Sequence, residues 1–342
     1  MFWADKVREA IKEELKEKIA SGEPLIIRDE KTASGRIHVG SMRGVAIHGI
    51  IGEVLHEENI TNRFLYEIND FDPMDGLPVY LDEKVYGEHM GKPLYMVPSP
   101  DGKAKNFAEY YGCEFVRVIE DTGFCPEFHR LSELYLSGKM NTVIRRALEE
   151  AATIRKIYKE VSGSERTSDW LPISIVCEKC GKIGTTTATA FDGEKVAYTC
   201  EPRKVEWAKG CGYEGNVSPF DGHGKLPWKV EWAAKFVVMG VDIEGAGKDH
   251  STKGGARDIA DHIAREVYDH KPPFDIPYEF FLVGGKKMSS SKGEGSAAGD
   301  IVSLVPPHIF RLALFQKDIN QQINFDPTGE TIPVLFDLYD LR

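Results

Sequence analysis

Long hydrophobic runs are missing from this sequence. No stretch approaches the roughly 18 consecutive apolar residues that a membrane-spanning helix needs. Residues 1–18 carry many charges of both signs in a helical pattern, which is not the composition of a secretory signal. These absences predict a cytoplasmic protein with no membrane partner.

A surplus of positive charge is missing too. The chain has 43 Lys and Arg against 54 Asp and Glu, which gives a net charge of −11. This balance argues against a general nucleic-acid coat protein, although an acidic protein can carry a local basic groove. Six cysteines in a cytosolic chain of 342 residues favour a metal site or free thiols over disulfides. What the chain does have is a hydrophobic content of 42% and enough length for a large core in two or three domains.

A glycine-containing turn at residues 32–41 is the first segment that indicates a ligand. It follows the apolar residues 24–28, which predict a buried parallel strand, and it precedes a helical pattern at 42–55. Gly35 and Gly40 allow the backbone to approach a ligand closely, and the helix that follows offers N–H groups to an anion. The turn therefore predicts a phosphate site, and the alternative is an ordinary strand–turn–helix connection.

Residues 61–68 predict a second strand, so the chain contains a βαβ unit. Asp70 and Asp72 follow this strand at its carboxyl end, where open α/β sheets bind ligands. We expect both carboxylates to line the site. Turn chemistry before Pro73 explains the same pattern equally well.

Three further segments complete the predicted α/β pattern. Residues 114–120 and 237–243 predict strands, and residues 141–161 predict one long helix with Asn141 as its N-cap. The basic residues of this helix favour a solvated face over an RNA-contacting face, because acidic residues lie beside them. The strand at 237–243 ends in the glycines and polar residues of 245–251, and two such ends in one sheet form a crevice.

Four cysteines, Cys177, Cys180, Cys200 and Cys211, flank a predicted β-hairpin with an Asp-Gly turn at residues 192–193. One pair precedes the hairpin and the other follows it, so the four thiolates can converge on one tetrahedral ion. We favour a structural Zn²⁺ site. Iron would also fit four sulfurs, and a redox Cys-X-X-Cys would not need the second pair.

A loop rich in lysine and glycine follows the strand predicted at 278–283. Residues 284–295 combine lysines, hydroxyls and glycines with almost no bulk, which suits closure over a polyphosphate. A surface loop without function is the alternative. Trp228 and Trp232 lie four residues apart and predict one helical stripe, which belongs either to the core or to a ligand site.

Two of these segments together resemble a known pair of signatures. Residues 34–41, Ser-Gly-Arg-Ile-His-Val-Gly-Ser, and residues 287–292, Lys-Met-Ser-Ser-Ser-Lys, resemble the HIGH and KMSKS motifs of class I aminoacyl-tRNA synthetases. Within that group the chain looks like the catalytic portion of the class I lysyl-tRNA synthetases over residues 20–327. The blocks that support this resemblance are 69–72, 226–228, 247–250 and 278–280.

The resemblance implies an α/β fold, in which a Rossmann-like doubly wound parallel sheet of HUP type binds the nucleotide. It also implies an inserted zinc-ribbon-like β-hairpin and a C-terminal helical extension. The implied division is an N-terminal helix at 1–20, the first half of the catalytic domain at 21–165, a zinc-binding insertion at 166–225, the second half with the KMSKS loop at 226–300, and a stem-contact-like helical segment at 301–342. Because relatives continue into an anticodon-binding domain, we expect a truncated or split form that activates lysine but charges tRNA poorly.

The resemblance also implies the residues of the site. Catalysis falls to His38, Lys287 and Lys292. ATP binding falls to Ser34, Gly35, His38, Gly40, Ser41, Gly247, Asp249, Met288, Ser289, Ser290 and Ser291. Lysine binding falls to Thr32, Asp70, Trp228, His250 and Tyr278. The implied reaction joins L-lysine and ATP into lysyl-adenylate with Mg²⁺ on the phosphates, and then transfers lysine to the 3′ end of tRNA(Lys).

Several positions depart from the family pattern. Ser41 stands where HIGH has its second histidine, and Ser290 stands where the second signature has a lysine, so that role passes to Lys292. Glu30 replaces a glycine of many relatives, and we expect it either to bind the substrate's amine or to reflect a different alignment. Residues 98–106 lack the Cys and His of a second metal site, so we expect one metal site.

Two other functions stay open at this point. One is a class I synthetase-like paralogue that uses another amino acid or an acceptor other than tRNA. The other is a zinc-containing RNA-binding module without catalysis, which would leave the two phosphate-loop signatures unexplained.

Overall fold

The computed structural model describes residues 2–285, residue 288 and residues 296–341. The α-helices are α1 Trp3–Glu14, α2 Lys16–Ser21, α3 Met42–Glu57, α4 Glu83–Tyr86, α5 Phe107–Asp121, α6 Leu131–Leu136, α7 Asn141–Glu149, α8 Ala151–Ser162, α9 Trp228–Met239, α10 Ala256–Glu266, α11 Ala298–Val302, α12 Pro307–Phe315 and α13 Thr331–Asp340. The β-strands are β1 Leu25–Thr32, β2 Asn62–Asn69, β3 Glu127–Arg130, β4 Ser174–Ile175, β5 Thr186–Phe191, β6 Val196–Cys200, β7 Glu214–Val217, β8 Gly224–Lys225, β9 Ala246–Gly247, β10 Pro277–Tyr278, β11 Phe281–Val283 and β12 Ile323–Phe325. Short 3₁₀ turns lie at Val39–Ser41, Gly87–His89 and Leu94–Met96.

Strands β1, β2 and β3 form a parallel sheet, which is one part of the central sheet. β1 pairs with β2 along its whole length, from Leu25 opposite Asn62 to Thr32 opposite Asn69, and β2 pairs in turn with β3. Leu25 and Ile27 are fully buried, as expected for a strand that is covered on both faces. Helix α3 connects β1 to β2 and buries most of its side chains. The predicted βαβ unit is therefore present.

The sheet continues on the other side of β1. Ile243 pairs in parallel with both Ile27 and Phe274, and β9 then pairs in parallel with β10. The segments that end in β9 and β10 thus act as fourth and fifth strands, in the spatial order β3–β2–β1–β9–β10. This arrangement confirms the expected mixed α/β class with a parallel sheet. From β1 the chain continues to β2 on one side, whereas the β9 segment lies on the other side of β1, so the strand order reverses between β1 and β9. The carboxyl ends of strands at such a point form a crevice.

The strand predicted at 114–120 is wrong, because these residues lie in α5. The Asn106 side chain caps this helix by accepting a hydrogen bond of 2.8 Å from the backbone N–H three residues on. Phe107, Tyr111 and Phe115 recur every four residues and form its buried face. The third strand of the sheet is instead the more polar β3.

The strand predicted at 237–243 is also mostly wrong. Residues 237–239 form the last turn of α9, and Gly240 ends this helix with a φ of 61°. Ile243 is the part of this segment that joins the sheet. An apolar run of this length suits a buried helix end as well as a buried strand, so its composition could not separate the two.

The single helix predicted at 141–161 is two helices, α7 and α8, with a break at Glu150. Asn141 does not cap α7. Its side-chain amide donates to Asp221 Oδ1 at 2.8 Å, and its amide oxygen accepts from Asp221 N at 3.0 Å. The N-terminal helix is likewise interrupted, at Leu15 between α1 and α2.

The basic side chains of α8 are bound by the protein itself. Arg155 Nη1 donates to Trp170 O at 2.8 Å, and Lys159 forms an ion pair of 2.9 Å with Glu165. These contacts agree with the solvated-face interpretation of this helix.

Two hydrophobic cores lie on either side of the crevice. One joins β1, β2, α3 and α5 to the C-terminal α12, and the other joins α7, α8, α9 and α10 to the hairpin of β5 and β6. None of the described helices is both long enough and apolar enough to cross a bilayer.

Candidate functional site

A pocket of about 440 Å³ opens where the carboxyl ends of β1, β9 and β10 meet the start of α9. Its lining residues are Asp29, Glu30, Lys31, Thr32, Gly40, Ser41, Asn69, Asp72, Trp228, Trp232, Glu244, Gly245, Ala246, Gly247, His250, Tyr278 and Phe280. The lining includes seven of the residues assigned from the sequence, namely Thr32, Gly40, Ser41, Trp228, Gly247, His250 and Tyr278. Residues distant in sequence therefore meet at the place where open parallel sheets bind ligands.

A buried network of charges lies beneath this pocket. Arg28 is 0% exposed, and its guanidinium pairs with Glu244 at 2.9 Å and with Glu67 at 3.2 Å. Lys235 is equally buried and pairs with Glu67 at 2.9 Å. Both cations also bind Glu30. Each charge has partners of opposite sign, so the loss of one member would leave others buried and uncompensated.

This network sets the ionisation of its carboxylates. Burial raises the pKa of Glu30 to about 7, although the charges of Lys235 and Arg28 oppose the rise. Burial also disfavours the charge of Glu67, but Lys235 and Arg28 outweigh it and hold the pKa of Glu67 well below its usual value. Glu30 does line the pocket, but its carboxylate is bound by these two cations rather than left for a substrate amine.

Two tryptophans form one wall of the pocket. The rings of Trp228 and Trp232 stack with their centroids 5.8 Å apart and an interplanar angle of 13°, and His250 stands edge-on to Trp228 at 5.3 Å. Trp232 is buried, and its Nε1 donates to Glu244 Oε1 at 2.7 Å. Trp228 is 42% exposed at the pocket mouth. The stripe thus belongs both to the core and to the pocket, and its surface suits an aliphatic chain with a cationic end.

Met288, the described residue of the second signature, lies close to Gly40 of the first. A Cβ on this residue would lie 3.0 Å from His38 Nδ1, 3.0 Å from Phe281 O and 3.1 Å from Met288 Cε. These distances are tighter than most Cβ contacts, so a side chain at Gly40 would require its neighbours to shift by a few tenths of an ångström. Gly40 belongs to the first signature and lines the pocket, and Met288 is the described residue of the second signature, so one residue of each signature lies next to the other.

His38 is neutral in this environment. Burial lowers the pKa of His38 to about 3, and the positive charge of Lys31 contributes to the shift. A neutral imidazole binds a phosphate oxygen through a hydrogen bond rather than through charge. Ser41, at the position of the second signature histidine, is uncharged as well and lines the pocket.

Thr32 and Asp72 are joined at the pocket edge. Thr32 Oγ1 donates to Asp72 Oδ2 at 2.9 Å, and Lys225 pairs with Asp72 Oδ1 at 2.9 Å. Asp70 points elsewhere, because its carboxylate accepts hydrogen bonds from Ser132 N at 2.8 Å and Ser132 Oγ at 2.6 Å at the start of α6. This corrects the expectation that Asp70 contacts the amino acid. Asp72 lines the pocket, as we expected of both Asp70 and Asp72.

The other assigned residues lie around this pocket or outside the described part of the chain. Ser34 lines a neighbouring cavity that shares Thr32 and Trp228 with the first pocket. Gly35 has a φ of 147°, and Asp249 is exposed after β9. Five members of the second signature lie outside the described residues: Lys287, Ser289, Ser290, Ser291 and Lys292.

Sequence reasoning missed three ionisable residues of the pocket, Asp29, Lys31 and Glu244. β1 does not stop at Arg28 but continues through charged residues to Thr32. The available signal was the position of these charges directly after an apolar run, at the carboxyl end of a parallel strand.

The four predicted metal ligands lie together in the second core. The Sγ atoms of Cys177, Cys180, Cys200 and Cys211 all lie within 4.8 Å of one another, and the pairs 177–211 and 180–200 are 3.6 and 3.7 Å apart. Four sulfurs on a tetrahedral Zn²⁺, with Zn–S bonds of about 2.3 Å, stand about 3.8 Å apart. The cluster therefore has the dimensions of a tetrahedral metal site.

Comparison with known proteins shows which family has these features. The family model described as tRNA synthetases class I (K) matches residues 1–341. The chain belongs to the class I tRNA synthetases (K). This membership confirms the resemblance that the two signatures indicated.

This synthetase chain is similar to several lysine–tRNA ligases. It is 36% identical to the lysine–tRNA ligase of Methanosarcina barkeri strain Fusaro over 342 residues, which are 99% of this chain and 60% of the relative. It is 37% identical to lysine–tRNA ligase 1 of Methanosarcina acetivorans over 99% of this chain and 61% of the relative. For the lysine–tRNA ligase of Archaeoglobus fulgidus the identity is 32%, over 96% of this chain and 63% of the relative. The chain thus spans about three fifths of the length of these relatives.

Proposed function

We propose that this chain activates L-lysine with ATP, giving lysyl-adenylate and pyrophosphate, and that it forms the catalytic part of an enzyme that transfers lysine to the 3′ end of tRNA(Lys). The observation that carries the proposal is the closeness of Met288 to Gly40, which lines a pocket of carboxylates and tryptophans. The relatives' names supply the choice of lysine.

ATP would lie along the turn that precedes α3. In the proposed reaction a carboxylate oxygen of lysine attacks the α-phosphorus, the bond to the bridging oxygen breaks, and pyrophosphate leaves with the electron pair. His38 and Ser41 would donate hydrogen bonds to phosphate oxygens, and Gly40 would let the backbone approach them. Lys287 and Lys292 would offset the charge that develops on pyrophosphate, and Mg²⁺ would supply further charge on the phosphates. Catalysis of this kind depends on position and electrostatics rather than on a covalent enzyme intermediate.

Other assigned residues would hold the rest of the nucleotide and the amino acid. Gly247 and Asp249 would bind the ribose. Thr32, Trp228, His250 and Tyr278 would surround lysine, because they line one pocket with an aromatic wall.

We infer that the cysteine cluster binds a structural Zn²⁺ and that the β5–β6 hairpin forms a zinc-ribbon-like insertion. The spacing of the sulfurs supports zinc, and the strand order β3–β2–β1–β9–β10 supports a Rossmann-like core of HUP type. The domain boundaries and the cytoplasmic location given above stay predictions.

Exchange of pyrophosphate into ATP with each of the twenty amino acids tests the proposed function. We expect exchange with lysine and background levels with the others. His38→Ala should abolish the exchange, while His262→Ala, on the exposed side of α10, should leave it unchanged. Exchange with a different amino acid would show a paralogue of other specificity, and no exchange with any amino acid would overturn the proposal.

A further inference from the structure

Two side-chain oxygens converge at the base of the pocket, over a glycine of α3. A Cβ on Gly44 would lie 2.7 Å from Asp29 Oδ2 and 2.8 Å from Tyr278 Oη. Asp29 and Tyr278 both line the pocket, and the Asp29 side chain is 13% exposed. The absence of a side chain at Gly44 therefore lets a carboxylate oxygen and a hydroxyl oxygen approach the same point of the α3 backbone, and so lie close to each other.

Asp29 differs from the other carboxylates that line this pocket. The others have cationic partners within 4.0 Å: Glu30 with Arg28 and Lys235, Glu244 with Arg28, and Asp72 with Lys225. Asp29 Oδ1 accepts a hydrogen bond of 2.8 Å from Glu30 N. Among the described residues, the one ionisable nitrogen within 4.0 Å of its carboxylate is His48 Nδ1, at 3.7 Å from Oδ2.

His48 cannot supply the missing positive charge. Its Nδ1 lies 2.8 Å from the carbonyl oxygen of Gly44, which only accepts, so Nδ1 must carry a hydrogen. Its Nε2 lies 2.7 Å from the backbone N–H of Gly245, which only donates, so Nε2 must be unprotonated. These two bonds fix a neutral imidazole. In the described part of the chain no cation therefore lies within 4.0 Å of the Asp29 carboxylate, and Lys31 and Arg28 attract its charge only from farther away.

A pocket carboxylate with no close cation favours a cationic ligand. Burial raises the pKa of Asp29, although the hydrogen bond from Glu30 N and the charge of Arg28 oppose the rise. A ligand ammonium at this position would offset the cost of burying this charge, and its hydrogens would reach both Asp29 and Tyr278. A neutral ligand of the same shape would leave the carboxylate unpaired.

We propose that Asp29 binds the side-chain ammonium of the amino-acid substrate, with Tyr278 Oη as a second acceptor, and that this pair selects lysine over neutral amino acids of the same length. This inference rests on the proposed function. It adds the residue that binds the side-chain ammonium of the substrate. Asp29 acts as a specificity-determining residue that contacts the substrate but not the reacting atoms.

The test compares L-lysine with L-6-hydroxynorleucine, which has a hydroxyl in place of the ammonium, in pyrophosphate exchange. In the Asp29→Asn variant kcat/KM for lysine should fall about 30- to 100-fold, the range expected for the loss of a charged hydrogen bond. The value for 6-hydroxynorleucine should change by less than about threefold, because it never used the charge. Asp261→Asn is the matched control. It removes another partly buried aspartate, outside the pocket on α10, and should leave the ratio of the two substrates unchanged.

A second variant keeps the charge and changes its reach. Asp29→Glu moves the carboxylate by about one methylene, so the preference should shift by about tenfold from lysine towards ornithine, whose side chain is one methylene shorter. A residue with a merely structural role would not shift the preferred chain length, and this variant decides the matter if Asp29→Asn fails to fold.

The outcomes separate this inference from the proposed function. If the unmodified chain exchanges with lysine but Asp29→Asn keeps its preference for lysine over 6-hydroxynorleucine within about threefold, the role of Asp29 is wrong and the proposed function stands. An unchanged preference for lysine over ornithine in Asp29→Glu would also overturn that role. If the unmodified chain shows no exchange with lysine, both the proposed function and this inference are wrong.

Discussion

Removal of the ammonium of Lys235 should destabilise the protein strongly. Lys235→Met keeps most of the aliphatic chain of this fully buried residue but leaves Glu30, Glu67 and Glu231 without its charge. Breaking a buried ion pair from one side costs about 3–5 kcal/mol. With an unfolding entropy of about 2.1 cal/mol/K per residue, the 342 residues give roughly 0.7 kcal/mol/K. The thermal midpoint should therefore fall by about 4–7 °C, and chemical denaturation should show the same loss.

The pH dependence of this loss is a sharper test than its size. Without Lys235, the pKa of Glu30 should rise further above about 7, and the pKa of Glu67 should rise from its lowered value. A carboxyl with a raised folded-state pKa adds stability as the pH falls through that pKa, so the difference between wild type and variant should shrink from pH 8 to pH 5.

Lys156→Met is the matched control for the buried variant. Lys156 is 63% exposed and lies 3.9 Å from Glu160, so its loss should cost less than about 0.5 kcal/mol at either pH. A loss below about 1 kcal/mol for Lys235→Met, or a loss that does not change with pH, would refute the idea that this ammonium compensates buried carboxylates.

Three further predictions concern the signatures and the cysteines. Gly40→Ala should reduce lysine-dependent exchange at least about tenfold, because its Cβ would crowd His38 and Met288 and shift them, whereas Gly87→Ala, with no neighbour closer than 3.7 Å, should have no effect. Cys177→Ser should lose bound zinc by metal analysis and melt at a lower temperature, and the exposed Cys125→Ser should do neither. His38 has a folded-state pKa of about 3, below its unfolded value of about 6.5, so the unfolded chain binds the extra proton and stability falls as the pH drops below 6.5. By pH 5 this loss should be about 2 kcal/mol in chemical denaturation, and His38→Gln should lack it.

The elements around the first signature could be predicted from the sequence, because their signals are local. The apolar start of β1, the glycines of the turn and the helical spacing of α3 each lie within a few residues of one another. The cysteine cluster was also predictable, since the spacing around one hairpin brings both pairs together.

Two strands were predicted where helices lie, at 114–120 and 237–239, because short apolar runs fit either element. In the first case the deciding feature was the Asn106 cap, which lies eight positions before the segment begins. In the second it was the packing of α9 against α10, which joins parts of the chain that local patterns do not connect.

The charged part of the site could not be predicted for a different reason. Charges at 29–31 disfavour a buried strand unless distant partners compensate them. Lys235 compensates Glu30, and Glu244 compensates the neighbouring Arg28; both partners are more than two hundred positions away in the sequence. The hydrogen bond from Gly245 N to His48 Nε2 also joins residues that are far apart in the sequence. This bond keeps His48 from acting as a cationic partner of Asp29.

Direct detection of the adenylate is the most immediate test of the proposed function. The purified chain is incubated with lysine, α-labelled ATP, Mg²⁺ and pyrophosphatase, and the products are separated before they hydrolyse. The account predicts labelled lysyl-adenylate with lysine, none when lysine is omitted, and at least about tenfold less when Gly40→Ala replaces the unmodified chain. The absence of a labelled adenylate with lysine, from a chain shown to be folded and to bind ATP, would contradict it.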